Sequence, residues 1–385
     1  MRVLYVLNTS NPNNGATKAF MNMLRGVMAL GVTPYVVMPD SGGIVGELET
    51  MGVECYTFTY RHNTYPYFAT LKEKVLFLPR TIARWMVNRR ATRRLVLILR
   101  QKKIDLVHTN TGVVNIGYEA ALKLNIPHVY HIREYADRIQ HYFPWKRSFL
   151  CQLAHSHSIC ITNDVQRYYG QDGSALSRVI YDGVREAVPE MPVSEQRDSF
   201  LYVGRIQPVK GLMVLLQAYF LYCQRVSEPL PLRVVGGVGN IAYAQETKQF
   251  VESHRLEHLV SFLGDQQNID AFYRQARALV IPSSFEGFGF CMPEAMLNGC
   301  LVVARNMTGT KEQLDNGLQD TGEEIALRFE TAEELADCLE KVAGTPLDDF
   351  LPMMRRAFSV VNRLYTVNAC ANQVYLFYKD ILSRF

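Results

Sequence analysis

No apolar run in the chain approaches the roughly 20 residues that a helix needs to cross a bilayer, so a helical integral membrane protein is not expected. The early stretch VLYVL (3–7) breaks at Asn8 and is too short for a secretory leader, so the chain is expected to stay in the cytoplasm. Its eight cysteines form no CxxC pair and no Cys/His cluster at zinc spacing. They read as reduced, mostly packed thiols, and no metal is expected. The first strand is not followed by G-x-G-x-x-G, which removes the dinucleotide fingerprint. Repeats and low-complexity tracts are missing too. Acid is scarce in one place: between 71 and 103 only Glu73 stands against eleven Lys or Arg residues.

What is present fits a soluble two-domain protein. The 385 residues exceed one comfortable core, and 48% hydrophobic with 20% charged is ordinary for a globular chain. From 3 to 180 short apolar strands alternate with helical stretches, the signature of β-α units on a parallel sheet and hence of a Rossmann-like domain. The polar, proline-containing stretch 186–199 (EAVPEMPVSEQRDS) interrupts this pattern and is the linker candidate. Alternation then resumes, with strands near 232–235, 259–262, 279–281 and 301–304. The division read from this is 1–186, 187–361 and a last amphipathic helix over 362–385, carrying Leu364, Val367, Val374, Phe377 and Ile381.

The basic segment 71–103 has net charge +10, while the whole chain has only +4. Positive charge is therefore concentrated, which points to an anionic partner. Interleaved apolar residues, among them Val75, Phe77, Ile82, Trp85, Leu95 and Leu99, make it a basic amphipathic helix of the kind that lies on anionic lipid. A solvated helix whose apolar side packs on the sheet is the other reading.

Two motifs carry polar chemistry. The stretch EGFGFCMPE (286–294) follows an apolar strand and sets Glu286 and Glu294 around a glycine-rich turn, with a helix beginning near Pro293. In open parallel sheets ligands bind at the strands' C-terminal ends, and a carboxylate accepts two hydroxyl hydrogen bonds at once, as a sugar or ribose diol offers. Acids in a first helical turn also serve the helix dipole, which is the plainer account of one glutamate alone. FLYVGRIQPVKG (200–211) is a strand ending in Gly204 and Arg205, a turn, and Lys210 with Gly211 opening a helix. An arginine fork and a lysine point charge suit a diphosphate, although a strand, a turn and two surface cations are common. Near the N-terminus VLYVLNTSNPNNGATKAF reads as strand, polar loop with Gly15, and helix. His131 closes the strand 127–132 in PHVYHIREY; taken alone, a histidine satisfied by backbone is the favoured reading, and Arg133 and Glu134 beside it read equally as a structural ion pair or as site residues.

EGFGFCMPEAMLNG resembles the E-x7-E segment of GT-B glycosyltransferases, in particular the large retaining family 4, and LVVARNMTGTKE resembles that family's following strand and glycine loop, closing at Glu312. The resemblance implies an α/β GT-B fold, two Rossmann-like β/α/β domains facing each other across a cleft, the last helix crossing back to the first. It also implies a retaining transfer from a nucleotide-diphosphate sugar to a glycan or lipid-linked acceptor. Bacterial cell-surface polysaccharide synthesis is the commonest setting, with no cofactor and no nucleic acid. Glu294 would hold the ribose, Glu286 and His131 the donor sugar, and Arg205 and Lys210 the diphosphate. Gly15, Gly204, Gly287, Phe288 and Gly289 would line the donor. Three departures stand out: Asp182 replaces a common asparagine, Leu301 a proline, and Thr308 a second glycine. With the basic segment, the expectation is an enzyme on the inner leaflet; an epimerase of the same fold, or an anionic-surface binder with a vestigial sugar site, are the alternatives.

Overall fold

The computed structural model describes residues 1–66, 71–135, 141–142, 146–193 and 197–385. Two compact units form, one from 1–183 with 367–385 and the other from 184–366. The division thus falls a little before the expected boundary after Glu186, and within the expected linker residues 194–196 lie outside the described ones.

Unit 1 contains strands β1 (Arg2–Val6), β2 (Thr33–Met38), β3 (Glu54–Thr57), β4 (Tyr65–Pro66), β5 (Leu106–Thr109), β6 (His128–Ile132), β7 (His141–Tyr142), β8 (His157–Cys160) and β9 (Ser177–Val179). Seven of them make one parallel sheet in the order β3-β2-β1-β5-β6-β8-β9, and β4 with β7 forms a small antiparallel ladder. Helices α1 (Gly15–Ala29), α2 (Val45–Thr50), α3 (Leu71–Lys102), α4 (Ile116–Leu124), α5 (Lys146–Leu153) and α6 (Asn163–Tyr168) connect them. The central strands read as nearly unbroken apolar runs because helices bury both faces; β6 is buried at all five positions.

Unit 2 holds β10 (Ser199–Val203), β11 (Leu232–Val235), β12 (Val260–Gly264), β13 (Ala276–Ile281), β14 (Leu301–Arg305) and β15 (Leu327–Phe329), paired in parallel as β12-β11-β10-β13-β14-β15. Its helices are α7 (Leu212–Arg225), α8 (Ile241–Ser253), α9 (Ile269–Gln275), α10 (Cys291–Leu297), α11 (Thr308–Thr321), α12 (Ala332–Gly344) and α13 (Leu351–Leu364). Local sequence sets their ends: Asn240 and Thr331 cap α8 and α12 by accepting from the N–H of Tyr243 and Glu334.

The expected single helix over 362–385 is two helices. Leu364 ends α13, the chain breaks at Tyr365 and Thr366, and α14 (Val367–Ser383) belongs to unit 1. There Cys370, Ala371, Val374, Phe377 and Ile381 join Phe20, Met23, Leu24 and Val27 of α1 in one core. A Cβ at Gly26 would lie 2.4 Å from that of Ala371, so α1 needs glycine for this close approach.

In both sheets strand order reverses once, between β1 and β5 and between β10 and β13. Loops leaving the C-terminal ends of those strand pairs diverge there and leave a crevice, the usual ligand position of open α/β sheets.

Candidate active site

The Gly15 loop, the Gly204–Arg205 turn and the 286–294 segment leave strands at these reversal points, whereas His131 lies on β6 and the 301–312 segment follows β14. In unit 2, Gly204 and Arg205 follow β10, and the segment from Pro282 to Glu294 follows β13. Glu286 is buried, and its Oε1 accepts from Lys210 Nζ at 2.6 Å and from Ser283 Oγ at 2.8 Å. Its backbone is held as firmly, because its N–H donates to Thr308 Oγ1 at 3.0 Å and its carbonyl accepts from Gly309 N–H at 3.1 Å. Lys210 ends a short 3₁₀ turn (Pro208–Lys210) instead of opening an α-helix, and α7 starts after Gly211. Gly211 has φ +70°, and a Cβ there would meet the Pro282 carbonyl oxygen at 2.1 Å. Glycine at that point brings the lysine's turn against the segment carrying Glu286.

Glu294 lies in α10, which starts at Cys291, so Pro293 is its third residue. The carboxylate accepts from Tyr273 Oη at 3.2 Å. Burial, then the carboxylate itself, holds the Tyr273 phenol well above its ordinary pKa and keeps it a donor. The turn between the glutamates is fixed by Gln313, fully buried on α11, whose amide nitrogen donates to the carbonyls of Phe288 and Gly289. Gly289 takes φ +85° in that turn. Burial, then Glu286, pushes the Cys291 thiol up to about 12, so it is not a nucleophile at neutral pH.

Sequence reasoning missed a second glycine loop, Gly236, Gly237 and Gly239 in VVGGVGN, which follows β11. Gly236 has φ +136°, and a Cβ there would lie 2.1 Å from the Gly204 carbonyl oxygen. Ile206 N–H donates to the Gly237 carbonyl at 2.9 Å, while the N–H of Gly239 donates to the Ile206 carbonyl. The exposed Arg205 therefore rises from two loops whose backbones approach closely at Gly204 and Gly236. The signal was the G-G-x-G spacing after an apolar strand.

In unit 1, Asn14 caps α1, its side chain accepting from Ala16 N–H at 2.9 Å. One of the N–H groups expected to face a phosphate beside Gly15 is thereby engaged. His131 is fully buried, with both ring nitrogens lacking a hydrogen-bond partner among the described residues. Burial, then Arg133 and His108, lowers its pKa well below the ordinary value, so the ring is neutral. Arg133 does not pair with Glu134 as a side chain. It forks onto the buried Asp182, 2.9 Å from Nη2 and 3.1 Å from Nε, and also donates to Asn110. Glu134 instead accepts from Thr111 and, at 2.7 Å, from Gly112 N–H. Asp182 departs from the family's asparagine here because it answers a buried guanidinium, which a neutral amide cannot neutralise.

A family model described as "Glycosyltransferase Family 4" matches residues 13–187, and one described as "Glycosyl transferases group 1" matches 185–346. The chain is a GT-B glycosyltransferase of the family 4 type. The O-antigen chain mannosyltransferase B of Escherichia coli is 35% identical over 124 residues, 31% of each chain. A D-inositol 3-phosphate glycosyltransferase of Corynebacterium aurimucosum is 30% identical over 189 residues, 47% of this chain and 43% of the relative. Such matches span less than two thirds of the relatives' own length. In structure, HepE of Anabaena in complex with UDP aligns over 100% of both chains with a TM-score of 0.77 at 19% identity. A glycosyltransferase from Rickettsia africae aligns over 100% of this chain and 99% of its own, with a TM-score of 0.77 at 17% identity. These two share the GT-B fold. Among the described residues no cluster of His, Cys, Asp and Glu is arranged to hold a metal ion, and no helix is long and apolar enough to cross a membrane.

Proposed function

We propose that this glycosyltransferase moves a sugar from a nucleotide-diphosphate sugar to a glycan or lipid-linked acceptor, with retention and without a metal, in cell-surface polysaccharide synthesis. The observation that carries the reading is the Lys210–Glu286–Ser283 cluster at the β10/β13 reversal, in the half matched by the group 1 family model. Arg205 and Lys210 neutralise the leaving diphosphate, whose negative charge grows as the glycosidic bond breaks. Glu294 accepts from the ribose hydroxyls, and Tyr273 keeps its carboxylate in place. Glu286, held by the Lys210 ammonium, orients donor hydroxyls. His131 is assigned to the donor sugar; its neutral ring lies buried, with Nε2 3.9 Å from Asp182 Oδ1. Gly15, Gly204, Gly287, Phe288 and Gly289 contribute backbone and ring surface around the donor. Retention places the acceptor on the face that the diphosphate leaves, where a diphosphate oxygen takes the acceptor's proton.

Two relatives support this acceptor class by name, the O-antigen mannosyltransferases of Escherichia coli and Salmonella typhimurium. The inner-leaflet reading rests on α3. Leu71, Val75, Leu78, Ile82 and Trp85 recur at intervals of four and three, are all more than half exposed, and lie among Lys72, Lys74, Arg80 and Arg89.

The test is a transfer assay with UDP- and GDP-linked sugars and a lipid-diphosphate acceptor in excess EDTA. The expected product keeps the donor's anomeric configuration by NMR, and Lys210→Ala lowers its rate by about 100-fold or more. Inversion, or a rate abolished by EDTA, contradicts the proposal.

A further inference from the structure

Away from the reversal points, unit 1 has an open pocket of about 530 Å³ between α3, α4 and α5, within the range of about 300–1,000 Å³ usual for small-molecule sites. Its lining includes Thr81, Arg84 and Trp85 from α3, Asn115 at the start of α4, and Phe149 from α5. Arg84 Nη1 donates to the carbonyls of His62 and Thr64, at 3.3 and 3.2 Å, which fixes the guanidinium. Its Nη2 has no partner among the described residues, and neither has Thr81 Oγ1 or Asn115 Oδ1, although all three atoms are buried. Burial lowers the Arg84 pKa, and Tyr65 acts in the opposite direction. A buried guanidinium donor without an acceptor is costly, and an anion removes that cost.

Charge and shape narrow the ligand. Arg89 lies over the Trp85 ring with 5.1 Å between guanidinium carbon and centroid, and Lys123 adds a third cation to the lining. Glu119, the one acid among the described lining residues, has its oxygens engaged by Thr92 Oγ1 at 3.1 Å and by Asn115 Nδ2 at 2.7 Å. Ile82 and Trp85 in the lining are both more than half exposed, while Phe149 is buried. Half-buried Arg84, with exposed Arg89 and Lys123, sets cations beside the exposed apolar Ile82 and Trp85, which together complement an amphiphile with an anionic end.

We infer that this cavity binds an anionic amphiphile, with a phosphate-type headgroup on the free donor of Arg84 and an apolar stem along Ile82 and Trp85. The site is separate from the proposed donor half and stands or falls without it. It gives α3 a specific ligand beyond general attraction to negative charge.

The test is calorimetry on the full chain with decyl phosphate below its micelle concentration, beside inorganic phosphate and decyl maltoside. Decyl phosphate should bind with one-to-one stoichiometry at least about tenfold more tightly than either control. Arg84→Gln and Trp85→Ala should each weaken it about tenfold, whereas Arg94→Gln, which removes a charge on α3 outside the cavity lining, should not. Trp85→Ala alters an exposed side chain and carries the test if Arg84→Gln fails to fold. The inference is overturned by no binding of decyl phosphate, by equal binding of inorganic phosphate or of the maltoside, or by an equal loss in Arg94→Gln. UDP binding, measured on the same samples, reports the donor half independently.

Discussion

At the scale of single residues, Thr308 joins strain to function. It takes φ +48°, the left-handed region that a β-branched residue avoids, at the position where the family usually has glycine. Its hydroxyl accepts from Glu286 N–H and so helps set the carboxylate that holds Lys210. Strain and hydrogen bond are each worth about 1 kcal/mol and oppose one another. Thr308→Gly should therefore leave stability within about 0.5 kcal/mol in urea denaturation, while Thr308→Ala, which keeps a Cβ and loses the hydroxyl, should cost about 1 kcal/mol. Equal values for the two variants would show that the backbone there is not strained. The spacing of Glu286 and Glu294 was legible because it lies within nine consecutive residues. Lys210 and Glu286 are 76 positions apart, and the sequence offered them as separate ligand contacts, with no sign that they pair. Asp182 was visible only as a departure, since its reason, Arg133, comes from another strand's end.

At the scale of elements, α3 divides in two. The packed-helix reading applies to one half, where Ala91, Leu95 and Leu99 are buried, while the stripe from Leu71 to Trp85 is exposed and is the half proposed to meet lipid. Periodicity cannot tell a face covered by a neighbouring helix from one left open, because both need the same apolar spacing. Leu78→Glu puts an acid in the middle of the open stripe and should lower binding to vesicles containing phosphatidylglycerol by about tenfold or more in a flotation assay. Leu97→Glu, exposed in the other half, should have little effect. Equal losses, or no binding by the unaltered chain, would remove the membrane reading. The helix break at Tyr365 and Thr366 was illegible for a related reason, since apolar residues continue in phase on both sides of it.

At the scale of the whole molecule, alternation of strand and helix announced two parallel sheets, and the observed strand orders place the motifs at each reversal. Strand order itself was not legible, because β1 pairs with β5 and β10 with β13 across long intervening stretches. The glycine loop at 236–239 was overlooked for the same reason: its neighbour, Gly204, is close only once β10 and β11 pair. The central claim is that unit 2 is a nucleotide-diphosphate site in which Glu294 holds the ribose. Thermal unfolding against UDP, GDP, dTDP, CMP and ADP tests it most directly, with Glu294→Ala alongside. A ligand at about 100 times its dissociation constant stabilises by roughly 2.7 kcal/mol, enough to raise the midpoint by about a degree or more. The account predicts such a rise with one nucleoside diphosphate and its loss in Glu294→Ala. No rise with any nucleotide, or a rise of equal size in the variant, would contradict it.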